Sequence, residues 1–132
     1  MNDLIIEGKP LGKTPSIEFK VSGKLKISGR SIPEDTRTIY EPIFTWFDSF
    51  KVNLPSKIEM SVTLEYFNTS SSIHLLNLFN SLVRLHHDKQ TDVKIIWYYH
   101  EDDDEMHDAG RDYKSIVNVP FEVIPIINSE IR

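Results

Sequence analysis

The chain has 132 residues, with 15 Lys and Arg against 20 Asp and Glu, a formal charge of −5 and a pI near 5.5. That balance, without a basic stripe interleaved with aromatics, excludes the usual nucleic-acid-binding surface, and the absence of cysteine excludes disulfide staples, thiol nucleophiles and thiolate metal centres. The length suits a single domain over 1–132 with a core of its own; with no basic leader and no apolar run long enough to span a bilayer, a soluble cytoplasmic protein without membrane insertion is expected.

Leu4-Ile5-Ile6 reads as a short first strand ended by Gly8 and Pro10. Ile17, Phe19 and Val21 alternate with polar residues, Ser22-Gly23 supplies a turn, and Leu25 and Ile27 resume the alternation until Gly29 stops it, which predicts an antiparallel hairpin. The lysines Lys20, Lys24 and Lys26 fall on a solvated face of that hairpin. Residues 31–36 form a loop stiffened by Pro33, whose Glu34 and Asp35 can approach the start of the next helix. Pro42 is placed near the first turn of that helix, Ile43, Phe44, Trp46, Phe47 and Phe50 give it an apolar stripe, and Asn53 and Pro55 close it.

Ile58, Met60, Val62, Leu64 and Tyr66 then alternate with Glu59, Ser61, Thr63 and Glu65, the period of a half-buried strand. After 68–72, Leu75, Leu76, Phe79, Leu82, Val83 and His86 recur at helical spacing, and 93–99 is strand again. Strand, helix and strand in that order predict a right-handed parallel crossover, with 68–72 on the carboxyl edge of its first strand. Beyond the acidic run 101–105, Gly110 is expected to interrupt a short helix; 119–124 is a last strand, at a sheet edge because Pro120 and Pro125 cannot donate ladder hydrogen bonds. The expected fold is mixed α/β (α+β), one mixed sheet packed by two or three helices.

Within this frame Asn68-Thr69-Ser70-Ser71-Ser72 is the chemically distinctive stretch. A helix start needs one good acceptor as its cap, and five stand in a row here. The first-turn N–H groups lack partners and stabilise anionic oxygens, so a phosphate placed on Thr69, or on Ser70 or Ser71, would be held by backbone donors. The run Glu101-Asp102-Asp103-Asp104-Glu105 lies between His100 and His107, carboxylates suiting magnesium or calcium and imidazoles transition metals. It matches no ligand spacing, so a solvated acidic loop without metal is expected, and a metal-dependent enzyme built on Asp102, Asp103, Asp104 and His107 is the alternative from another class. The pair His86-His87 lacks the spacing of a metalloprotease helix, one ring being expected to cap the last turn, and His74 is expected at the surface. No glycine loop cradles phosphate and no serine sits in a nucleophile elbow, so neither catalytic residues nor a cofactor are expected.

Three segments together, Ile27-Ser28-Gly29-Arg30-Ser31-Ile32-Pro33-Glu34, Tyr66 to Ser72, and Trp97-Tyr98 followed by Asp102-Asp103-Asp104 and Gly110, resemble the SiaC family of bacterial biofilm-regulation phosphoproteins over about 4–121. The resemblance implies a fold similar to anti-sigma-factor antagonist (STAS-like) domains. It also implies a phosphoprotein in which a serine/threonine protein kinase modifies Thr69, a metal-dependent phosphatase reverses this, and the unmodified form binds and activates a diguanylate cyclase. Arg30, Ser31, Asn68 and Ser70 are the expected partner-binding residues. Ile32 and Ile73 depart from the pattern, which usually has an aromatic residue and a lysine there. An anti-sigma-factor antagonist in a general partner-switching module is the alternative among binding proteins.

Overall fold

The computed structural model describes residues 1–8, 12–89 and 91–127. Nine elements follow in order: β1 (Leu4–Ile6), β2 (Ser16–Phe19), β3 (Lys24–Ser31), α1 (Arg37–Phe50), β4 (Lys57–Phe67), α2 (Thr69–Asp88), β5 (Asp92–His100), α3 (Asp104–Ile116) and β6 (Phe121–Ile126). The six strands form one sheet in sequence order, β1, β2 and β3 antiparallel and β3 to β6 parallel. Each parallel step is bridged by a helix, so the crossover expected between β4 and β5 recurs on both sides of it.

Strand alternation decides where the core lies. Ile17 and Phe19, Leu25 and Ile27, Ile58, Met60, Val62 and Leu64, and Val93, Ile95 and Trp97 join one cluster with the apolar faces of the helices. Their alternates Glu18, Lys24, Lys26, Lys94 and Glu122 are exposed on the other face, where Lys24 pairs with Glu59 and Lys94 with Glu122 at 3.1 Å. The helices therefore cover one face of the sheet and leave a polar face to solvent.

Several sequence expectations need correction. Val21 belongs to the turn rather than to the hairpin strand. Gly29 does not end β3. The strand continues to Ser31 because glycine adopts φ 96°, open to it without a Cβ, while the pairing register shifts so that Gly29 faces Leu64 and Arg30 faces Tyr66. Helix α1 begins at Arg37, with the Asp35 carboxylate accepting from the Arg37 N–H at 3.0 Å. Pro42 therefore lies inside the helix, exposed, where water can serve the Thr38 carbonyl that a proline N cannot reach. Gly110 likewise interrupts nothing: it lies within α3, and a Cβ there would stand 2.4 Å from Trp97 Cδ1, so its bareness lets α3 seat on β5. β6 is an edge strand, as expected, but it runs over Phe121–Ile126 rather than 119–124, with Pro125 inside it and Pro120 just before it.

Candidate functional site: the start of helix α2

The chain leaves β4 through Asn68, whose extended backbone (φ −89°, ψ 173°) turns it into α2. Every polar group of Asn68 is occupied. Its Oδ1 accepts from the Ser71 N–H at 2.9 Å and its carbonyl from the Ser72 N–H at 3.0 Å; its N–H donates to the Ser31 carbonyl at 3.0 Å and its Nδ2 to the Pro33 carbonyl at 3.2 Å. Capping is thus done by the asparagine alone.

The four hydroxyls after it divide into two pairs. Ser71 is fully buried, its Oγ 2.8 Å from Ser31 Oγ, which lies 2.9 Å from the Tyr40 hydroxyl. Ser72 is half-buried and donates back to the Thr69 carbonyl at 2.7 Å. Thr69 and Ser70 are exposed, and among the described residues their hydroxyls and N–H groups have no hydrogen-bond partner. The site is therefore two free hydroxyls beside two free amide donors at the positive end of a 20-residue helix.

The surrounding elements hold this turn from three sides. From β3 and α1 come Ser31 and Tyr40; burial pushes the Tyr40 phenol upward from its ordinary pKa, and its hydrogen bonds with Ser31 and Ser71 only partly offset this. From α3 the Tyr113 hydroxyl donates to the Ser72 carbonyl at 2.8 Å; its pKa is raised well above the usual tyrosine range, first by burial and then by the proximity of Tyr40. His74, one turn further along α2, lies flat on the Tyr40 ring at a centroid distance of 4.9 Å and an interplanar angle of 9°, with Nε2 3.1 Å from Thr36 Oγ1. That stacking corrects the expectation of a plain surface histidine.

The expected partner-binding residues separate accordingly. Ser70 is on the open tip. Ser31, expected in a loop, ends β3 with its hydroxyl in the interior, and Ser71, a candidate acceptor, is equally closed to a partner or a kinase. Asn68 is half-buried and spent on the cap. Arg30 is on β3 rather than in a loop and faces Glu65, Nε to Oε2 3.6 Å, an ion pair too long to be a hydrogen bond. Tyr40 and Tyr113 were not singled out from the sequence: a lone tyrosine in an apolar stripe reads as core, and only the long-range hydrogen bonds give either its role.

The acidic run is not wholly a loop either. Asp103 caps α3, its Oδ1 accepting from the Met106 N–H at 3.1 Å, and Asp104 and Glu105 occupy the first turn, where negative charge suits the helix dipole. Among the described residues no three His, Asp or Glu side chains converge as a metal ion would need. His86 is no cap; its Nδ1 lies 2.9 Å from the Thr91 carbonyl, to which it donates in the Nδ1–H tautomer, and ties the end of α2 to the start of β5.

The structure is thus a two-layer α/β domain that presents two free hydroxyls at a firmly anchored helix start. The profile described as SiaC family regulatory phosphoprotein matches residues 6–126, and this chain belongs to that family. An uncharacterized protein of Pseudomonas aeruginosa strain UCBPP-PA14 is 24% identical over 124 residues, covering 93% of this chain and 96% of the relative. Apo-SiaC from Pseudomonas aeruginosa superposes with a TM-score of 0.82 at 25% identity, covering 94% of this chain and 99% of the other. A crystal structure of the diguanylate cyclase SiaD with its activator SiaC from the same organism contains a chain similar in fold, with a TM-score of 0.84 at 23% identity, covering 94% of this chain and 100% of the other.

Proposed function

We propose that this chain is a non-enzymatic, single-domain signalling phosphoprotein of the cytoplasm whose switch is Thr69. A serine/threonine protein kinase places a phosphate on Thr69 and a metal-dependent phosphatase removes it. The unmodified form engages a diguanylate cyclase, so that the phosphorylation state governs cyclic di-GMP signalling and biofilm formation. One observation carries the reading. Asn68 supplies the cap, which leaves the exposed Thr69 hydroxyl with no structural duty at a helix start suited to an anion. Family membership supports the phosphoprotein role, and the SiaC–SiaD complex favours a cyclase over a sigma-factor antagonist as partner.

Phosphorylation adds about one and a half to two negative charges at neutral pH. A partner seated over the tip must then desolvate a dianion, a cost of several kcal/mol unless a cation compensates, and each ~1.4 kcal/mol is tenfold in affinity. The test is peptide mass spectrometry of wild type, Thr69→Ala and Ser70→Ala after incubation with the host's kinase, followed by titration of the stoichiometrically phosphorylated protein with the cyclase. Modification lost only in Thr69→Ala, with affinity falling at least about tenfold on phosphorylation, is the expected outcome. Equal affinity of both forms would sink the switch.

A further inference from the structure

The helices cover one face of the sheet, and the other face has a relief of its own. Along β4, Met60, Val62 and Leu64 turn into the core, so Glu59, Ser61 and Thr63 stand on the open side. Lys26 of β3 lies opposite Ser61, and Tyr98 of β5 lies opposite Thr63. Two short side chains on a middle strand, between longer ones on its neighbours, sink a cavity of about 470 Å³ into the sheet. That volume is within the range of about 300–1,000 Å³ typical of small-molecule sites. Tyr98 and Ile126 wall the cavity on the side of β5 and β6.

Five charged side chains line this cavity, and four of them answer one another: Lys20 is paired with Glu18 at 3.9 Å, and Lys24 is paired with Glu59. The fifth is Lys26. It lies opposite Glu18 on the neighbouring strand, yet the Glu18 carboxylate is turned to Lys20, and Lys26 has no carboxylate partner among the described residues. The hydroxyls of Ser61, Thr63 and Tyr98 likewise have no hydrogen-bond partner among the described residues. One uncompensated ammonium, three free hydroxyl donors and an aromatic wall complement a singly charged oxyanion carried on a ring. A dianion would leave one charge unmatched, and a cation would meet Lys26 with the same sign. We propose that the open face of the sheet is a small-molecule site for a monoanion with an aromatic body, a carboxylate or a phosphodiester. Its oxyanion sits on Lys26, Ser61 and Thr63 and its ring on Tyr98 and Ile126. The site lies on the side of the sheet away from α1, α2 and α3, so it is open in either state of Thr69 and does not depend on the phosphorylation reading.

The test titrates the nitrogen-15-labelled full chain with 3′,5′-cyclic AMP as the phosphodiester and with phenylacetate as the carboxylate. Saturable binding of either, with a Kd of about 1 mM or tighter and the largest amide shifts at Lys26, Ser61, Thr63 and Tyr98, is the expected result. The probe that binds more tightly identifies the oxyanion. Lys26→Met keeps the stem and removes the charge, and it should weaken that binding about tenfold. Thr63→Val keeps the shape and removes one hydroxyl, and it should weaken binding about threefold. Both variants should melt at the wild-type temperature. Lys114→Met, at an exposed lysine of α3, should leave the affinity unchanged. Affinity indifferent to Lys26→Met, shifts scattered over lysines elsewhere, or no saturable shift from either probe up to about 10 mM overturns the site.

Discussion

At the scale of residues, the start of α2 distinguishes hydroxyls that hold the fold from hydroxyls free for use. Ser71→Ala leaves the buried Ser31 with the Tyr40 hydroxyl alone, and an expected loss of about 1–2 kcal/mol, read as a lowered denaturant midpoint at unchanged m, follows from an incompletely satisfied interior group. Ser70→Ala, exposed and unbonded, should stay within about 0.5 kcal/mol of wild type. Asn68→Ala should cost about 1–2 kcal/mol, since it removes the cap and orphans the Pro33 carbonyl contact together. The sequence made the row of acceptors visible but not this division of labour. Adjacent serines look alike until a tertiary partner forty positions away selects one of them, as Ser31 selects Ser71.

At the scale of elements, α3 and β3 show that glycine is read wrongly when only chain breaking is considered. Gly110 and Gly29 were both expected to stop an element, and neither does. The first is bare because Trp97 occupies the space of its side chain; the second has nothing within 4 Å of an added Cβ and needs glycine for φ alone. Gly110→Ala should therefore destabilise by about 1–3 kcal/mol through overpacking and perturb the fluorescence of the buried Trp97. Gly29→Ala should cost about 1 kcal/mol with the tryptophan spectrum unchanged. Alternation along β4 as far as Leu64 and the apolar spacing of α2 were legible because burial on one face imposes a period on the chain, whereas Tyr66, read as the next member of the β4 series, is exposed because the register shift opposite Gly29 and Arg30 breaks that period. At α1 the acids of the preceding loop were legible, and Asp35 does meet the Arg37 N–H, but the boundary was not, since Pro42 suggests a first turn and the helix begins at Arg37.

At the scale of the whole molecule, the two tyrosines that hold α2 make the folded state sensitive to alkali. Burial raises both phenols above the ordinary value of about 10 that they hold when unfolded, so the native state keeps protons that the unfolded chain releases. Their contribution is fully present below about pH 10 and is lost as pH rises beyond it toward the folded-state values. Stability measured by denaturant titration should accordingly be flat on this account up to about pH 10 and then decline, less steeply in Tyr113→Phe and in Tyr40→Phe, with phenolate absorbance appearing together with unfolding. Phosphorylation of Thr69 should leave the midpoint near that of the unmodified protein at neutral pH, because the added charge lies outside the hydroxyl chain and beside free amide donors.

The turn that presents Thr69 is built from distant pieces of the chain: Ser31 lies 40 positions from Ser71, and Tyr113 lies 41 positions from Ser72. During synthesis, β3, α1, β4 and α2 emerge before α3 does, and until Tyr113 arrives the Ser72 carbonyl, bonded within the helix, lacks its second donor. The turn is thus completed late in the order of chain growth. A nascent or truncated polypeptide displays the same Thr69 sequence on an unfinished scaffold, so the proposed kinase, were it to read the assembled turn, would meet that turn only on a completed chain.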